Sequence, residues 1–147
     1  MNIFEALRED HDTQRELADA LIQTHGDSDK RDALFTRLKN ELSAHADAEE
    51  RHFYVPLMQH DLTQEKSRHS VAEHHELDEL VEMLETTDAS SPGWLVTAKK
   101  LHHKVFHHLA EEEHEVFQLA GKALSETQKE SLAGAYRREM NKRIETA

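Results

Sequence analysis

The sequence predicts an all-α protein, an antiparallel up-and-down four-helix bundle with an additional C-terminal helix, built as a single domain over residues 1–147. Three observations predict it. Glycine and proline are scarce, 4 and 2 residues respectively, where ordinary globular chains carry roughly 12% of the two together. Apolar residues recur at three-and-four spacing through four long stretches, the mark of a helix with one face turned to a core. The breaking residues fall between those stretches, at Gly26-Asp27-Ser28, Asp61-Leu62-Thr63, Ser90-Ser91-Pro92-Gly93 and Gly121 to Ser125.

The first helix carries the stripe Leu7, His11, Gln14, Leu17 or Ala18, and Leu21. The second carries Leu34, Leu38, Leu42, His45, Glu49, His52 and Pro56. Pro56 has no amide proton, so it should kink this helix or thin its hydrogen bonding before an end near His60. The third reads Val71, His74, Leu77, Val81, Leu84. The fourth opens with Ser91 as N-cap and Pro92 at the first helical position, then runs Ala98, Leu101, Val105, His108, Glu112, Leu119. These four form the bundle, over about residues 3–120. Polar residues interrupt the core stripe in every one of them. The fifth helix, about 125–145, starts at a Ser125/Gln128 capping box. Its stripe of Leu132, Ala135, Tyr136, Met140 and Ile144 has no such interruption, so it reads as a cover for the bundle.

Composition narrows the chemistry. With 30 acidic and 18 basic residues the formal charge is −12, which disfavours nucleic acid, anionic membrane surfaces and acidic substrates as partners. No apolar run approaches the roughly 18 residues of a membrane span, and Met1 to Asp10 carries acidic residues where a signal peptide is basic and apolar. A cytoplasmic protein is expected. The chain has no cysteine, so disulfides, thiol nucleophiles and thiolate metal sites are excluded. Any metal must be held by nitrogen and oxygen.

An internal repeat selects six residues. At an offset of 63, His11 falls on His74, His45 on His108, Glu49 on Glu112 and Glu50 on Glu113; Leu17/Leu80, Leu21/Leu84, Leu38/Leu101 and Phe53/Val116 match as well. The halves read as related helical hairpins, and a bundle of two such hairpins turns one His from helices one and three, and one HxxxE pair from helices two and four, toward a common centre. Residues four apart lie on one helical face, so His45 with Glu49, and His108 with Glu112, can reach one site. Four imidazoles and two carboxylates suit Fe, Mn or Zn, and two carboxylates between two nitrogen pairs naturally bridge two metals.

The order His, HxxxE, His, HxxxE, read as His11, His45 to Glu49, His74 and His108 to Glu112, resembles the hemerythrin-like, or HHE cation-binding, family over roughly residues 3 to 120. The resemblance implies a non-haem centre of two iron ions, Fe2+ or Fe3+, joined by an oxo or hydroxo bridge and by two bridging carboxylates, with an exogenous site for oxygen species. One departure matters. Oxygen-carrying hemerythrins have a further His one turn along the third helix, whereas the positions four residues either side of His74 are Ser70 and Asp78. Without that fifth His both metals are expected to be accessible unless another side chain substitutes, and reversible oxygen carriage is disfavoured. Asp78, His52, which lies within about 20° of His45 on an ideal helix, and Tyr54 are the candidate substitutes.

Rival frames exist. His107 with Glu111 is an HxxxE pair one residue out of register, and Glu49–His52 with Glu111–His114 spell the ExxH of ferritin-like carboxylate bundles. Those two ExxH motifs are 62 apart, which breaks the repeat, and helices one and three offer His where that fold needs Glu. Glu50 and Glu113 are expected beside the site or in solvent. The function expected is a di-iron protein handling dioxygen-derived ligands, foremost hydrogen peroxide, with a catalase-like activity in view. A non-enzymatic oxygen, nitric oxide or iron sensor or buffer is the alternative.

Overall fold

Four of the five helices start where a side chain takes up a free amide of the first turn. The computed structural model describes residues 1–147 and contains five helices and no strands. The first helix, Ile3–Ile22, opens with a capping box in which Asn2 accepts from the Glu5 amide and Glu5 accepts from the Asn2 amide, at 2.9 and 3.1 Å. Gly26, at φ 60°, is the single residue with positive φ and turns the chain toward Ser28, which caps the second helix. The third helix is Gln64–Glu85. The fourth begins at Pro92 with Ser91 as its cap, and the fifth, Glu126–Thr146, carries the Ser125/Gln128 capping box. Both starts agree with the sequence.

The second and fourth helices are each longer and less regular than their stripes suggest. Asp29–Glu49 passes through a π-helical turn, Glu50–Tyr54, into Val55–Leu57. Pro92–Glu111 passes through a second π-turn, Glu112–Val116, into Phe117–Ala123. The irregularity expected at Pro56 therefore lies just before it, and the helix ends at Leu57 rather than His60. Proline is not its cause in general, because the fourth helix has the same turn with Leu119 in the equivalent place. The feature common to both is the glutamate at the start.

Antiparallel neighbours close the bundle: the first helix packs on the second and fourth, the third on the fourth, and the fifth lies across the first and second. The core is split in two. One apolar cluster includes Ile3, Leu7, Phe53, Leu57, Phe117, Tyr136 and Met140; the other includes Leu21, Leu38, Leu42, Leu77, Leu84, Leu101 and Leu109. Along every bundle helix the His or His/Glu positions lie between the residues of these two clusters, so the polar groups meet in mid-bundle. No helix is long and apolar enough to cross a membrane.

Candidate metal centre

Burying six polar side chains in a bundle of this size is costly unless each finds a partner. His11, His45, Glu49, His74, His108 and Glu112 are all buried, none more than 5% exposed. They face one another. His11, His45, Glu49 and Glu112 form one group of converging ligand atoms; Glu49, His74, His108 and Glu112 form a second, with the atoms of each group within 4.8 Å of one another. Glu49 and Glu112 belong to both. Nε2 of His45 lies 3.4 Å from Glu49 Oε2 and Nε2 of His74 3.0 Å from Glu49 Oε1. Nε2 of His11 is 3.2 Å from Glu112 Oε1 and Nε2 of His108 3.4 Å from Glu112 Oε2. Each carboxylate thus offers one oxygen to each half of the molecule.

These contacts are close without being hydrogen bonds. All four Nε2 atoms, both oxygens of Glu49 and Oε1 of Glu112 are buried with no hydrogen-bond partner. Seven orphaned atoms aimed at a common centre are far more than a native core tolerates, and their identities, imidazole nitrogen and carboxylate oxygen, are those that bind first-row transition ions. The electrostatics agree. Burial raises the carboxyl of Glu112 above its ordinary value, and the charge of Glu49 beside it adds to the rise. Burial acts to lower His11 and His74, but the neighbouring carboxylates of Glu112 and Glu113 lift His11 well above an ordinary imidazole, and those of Glu49 and Glu50 bring His74 to about 10. Two carboxylates in this enclosure call for compensating positive charge.

Every Nδ1 is held from outside the cluster, which fixes ring orientation and leaves Nε2 pointing inward. His11 Nδ1 meets Glu113 at 2.6 Å, with Arg15 on the same carboxylate oxygen at 2.8 Å. His74 Nδ1 meets Glu50 at 3.3 Å. These two pairs are exchanged by the offset of 63, so each half supplies the support for the other half's histidine. His108 Nδ1 meets Glu73 at 2.8 Å, while His45 Nδ1 meets the Tyr136 hydroxyl at 2.6 Å.

A family model, the hemerythrin HHE cation binding domain, matches residues 2–120. The chain belongs to the hemerythrin HHE cation-binding family. The crystal structure of a hemerythrin HHE cation binding domain-containing protein from Mycobacterium kansasii is similar in fold, with a TM-score of 0.89, 22% identity, and coverage of 99% of this chain and 89% of that one. No curated protein matches. This hemerythrin-family chain therefore carries a buried His/Glu cluster able to hold metal.

The π-turns sort the remaining candidates. A π-turn adds one residue to a helical turn, so Tyr54 takes the place on the Glu49 face that the residue four beyond would hold in a regular helix, and Phe117 does so beside Glu112. Tyr54 is buried, donates its hydroxyl to Glu112 Oε2 and sets its ring edge-on to His74 at 6.1 Å; Phe117 stacks on His11 at 6.0 Å. Burial, with the charges of Glu112 and Glu49, holds the Tyr54 phenol well above its ordinary pKa. The same extra residue takes His52 off the inner face on which ideal helical geometry puts it. His52 meets Glu139 on the fifth helix at 3.4 Å and stands outside the cluster. Asp78 is outside both ligand groups too, and lines a cavity of about 10 Å³ together with Gln14, His45, His74 and His108. His107 is exposed, paired with Glu111 at 3.2 Å.

Three supporting residues were not singled out by sequence reasoning: Asp10, Glu73 and Tyr136. Asp10 and Glu73 each precede a cluster histidine by one and are related by the same offset of 63, a signal present in the repeat. Tyr136 had none, and its role corrects the reading of the fifth helix as a mere cover. That helix contributes a hydroxyl to the site.

Proposed function

We propose that this chain is a cytoplasmic non-haem di-iron protein that handles dioxygen-derived ligands, hydrogen peroxide first among them. The observation that carries the reading is the sharing of Glu49 and Glu112 between two groups of ligand atoms, the arrangement two bridged metals require. His11 and His45 would hold one ion, His74 and His108 the other. Iron, when bound, supplies the redox chemistry.

The protein's own part is positioning and access. The Nδ1 contacts to Glu113, Tyr136, Glu50 and Glu73 hold four imidazoles with Nε2 inward, and Tyr54 steadies Glu112 through its hydroxyl. The cavity of about 10 Å³ touches histidines of both groups and admits a ligand the size of a water molecule, which has room at roughly 10–15 Å³. Gln14 lines this cavity with a buried amide nitrogen that has no hydrogen-bond partner, a donor ready for a ligand oxygen. Asp78 stands on the same wall, one turn beyond His74, with its carboxyl raised by burial, and offers a carboxylate oxygen toward a ligand there.

Iron-loaded protein is expected to contain two irons per chain, to change its visible spectrum with azide or peroxide, and to evolve dioxygen from peroxide faster than free iron does. A chain that takes up a single ion sinks the dinuclear reading. Spectral change without dioxygen evolution replaces catalysis by the sensor or buffer role at the same residues.

A further inference from the structure

The out-of-register HxxxE pair, His107 to Glu111, has a neighbour of the same spelling on the third helix, His69 to Glu73. The fold lays the two side by side on the outside of the bundle. His69 Nε2 lies 3.1 Å from Glu111 Oε1 and 3.7 Å from Glu73 Oε2, and ligand atoms of His69, Glu73 and Glu111 all fall within 4.8 Å of one another. His107 Nε2 stands 3.2 Å from the other Glu111 oxygen. We propose that His69, Glu73 and Glu111, with His107 at the edge, form a second metal site, for a single divalent first-row transition ion, on the surface of the bundle.

Two features separate this group from ordinary surface ion pairs. It joins two helices, with imidazole and carboxylate contributed by each, so a cation placed there meets ligands fixed by tertiary packing rather than by one flexible turn. No lysine or arginine forms an ion pair with these carboxylates: Lys66 is paired with Glu115 and Lys104 with Glu76, while the ion-pair contacts of Glu73 and Glu111 are to histidines. The donors are two carboxylates and one imidazole, or two with His107, running from the exposed His69 to the buried Glu73, which suits Zn2+, Fe2+ or Mn2+ in an exchangeable site that keeps places open to water.

Glu73 links this site to the buried centre. It is 5% exposed, its Oε1 accepts from His108 Nδ1 at 2.8 Å, and its Oε2 belongs to the outer group. A cation outside and the histidine inside therefore draw on one carboxylate, which makes the outer site a place from which an incoming ion can act on the metal pair.

The test is Zn2+ calorimetry on the iron-loaded chain, with iron content measured before and after. Wild type is expected to take up one Zn2+ per chain at this site. His69→Ala, at an exposed position, and Glu111→Gln, at a half-buried one, should each weaken that uptake by about tenfold or more, since loss of even a supporting contact costs a metal site that much. His75→Ala removes the isolated pair His75–Glu79, 3.3 Å apart on one exposed helical face, and should leave uptake unchanged. Absence of the additional Zn2+, equal uptake by His69→Ala, or an equal loss in His75→Ala overturns the proposal. Circular dichroism melting confirms that the variants are folded. A chain that binds no iron defeats the proposed function instead, and the difference in Zn2+ uptake between wild type and His69→Ala still decides the outer site.

Discussion

Asp10 occupies in the first half of the molecule the place that Glu73 occupies in the second, yet the two reach their histidines differently. Glu73 touches His108 directly, at 2.8 Å; Asp10, one methylene shorter, accepts from the Tyr136 hydroxyl at 2.5 Å, and Tyr136 in turn meets His45 Nδ1 at 2.6 Å. The fifth helix thus fills a gap in an approximate two-fold arrangement. Tyr136→Phe leaves His45 without an acceptor, and supporting contacts of this kind are worth about 10–100-fold in metal affinity. The variant is expected to lose iron to a chelator faster than wild type by that order, measured by bleaching of the iron absorption, with its helical circular dichroism retained.

Shared and unshared ligands separate in a metal count. Glu49 belongs to both ligand groups and His108 to one. Glu49→Ala is expected to abolish binding of both ions, whereas His108→Ala weakens one ion and leaves the other, so metal per chain falls toward none in the first variant and toward one in the second. Elemental analysis after gel filtration reads the difference.

Metal should contribute much of the stability. Ligand at about 1,000 times its Kd stabilises the folded state by about 4 kcal/mol, and each kcal/mol moves Tm by roughly 2–4 °C at about this chain length. Stripping the ion with a chelator is expected to lower Tm by about 10 °C or more in a thermal melt. An unchanged melt would mean that the seven orphaned atoms of the cluster are satisfied in some other way.

Gln14 sits where the repeat places Leu77 in the other half. Its buried amide nitrogen lacks a partner, a condition that costs about 1–3 kcal/mol. Gln14→Leu is therefore expected to raise the Tm of the metal-free chain and, in the iron-loaded chain, to weaken azide binding by about tenfold, the loss of one hydrogen bond. Spectral titration with azide checks the second effect independently of turnover.

Tyr54 donates to Glu112 as a phenol. Tyr54→Phe is expected to retain both irons while changing the azide spectrum, because Glu112 Oε2 is freed. Loss of one ion would instead make Tyr54 itself a ligand.

The five helices, the Ser91 and Ser125 starts and the six polar residues of mid-bundle were legible because each rests on a local rule. Helical periodicity, a capping side chain and a repeat of fixed offset are properties of a linear string, and burial of His11 or Glu112 follows from its place in an apolar stripe. Glu50 and Glu113, expected beside the site or in solvent, lie beside it as the supports of His74 and His11.

What the string did not contain was the departure from regular helix. Ideal spacing favours His52 as a neighbour of His45; a π-turn whose single extra residue reshapes the face beyond Glu49 brings Tyr54 inward instead. Tyr136 lies 91 residues from the histidine it supports, and the helix that carries it reads as an ordinary amphipathic one. The sequence by itself determined the fold class and the inward-facing donors, since both are set by periodicity and polarity along each helix. Only the tertiary structure decided which outer group holds each imidazole and which side chains line the cavity, because those choices depend on helix rotation and side-chain reach across the bundle.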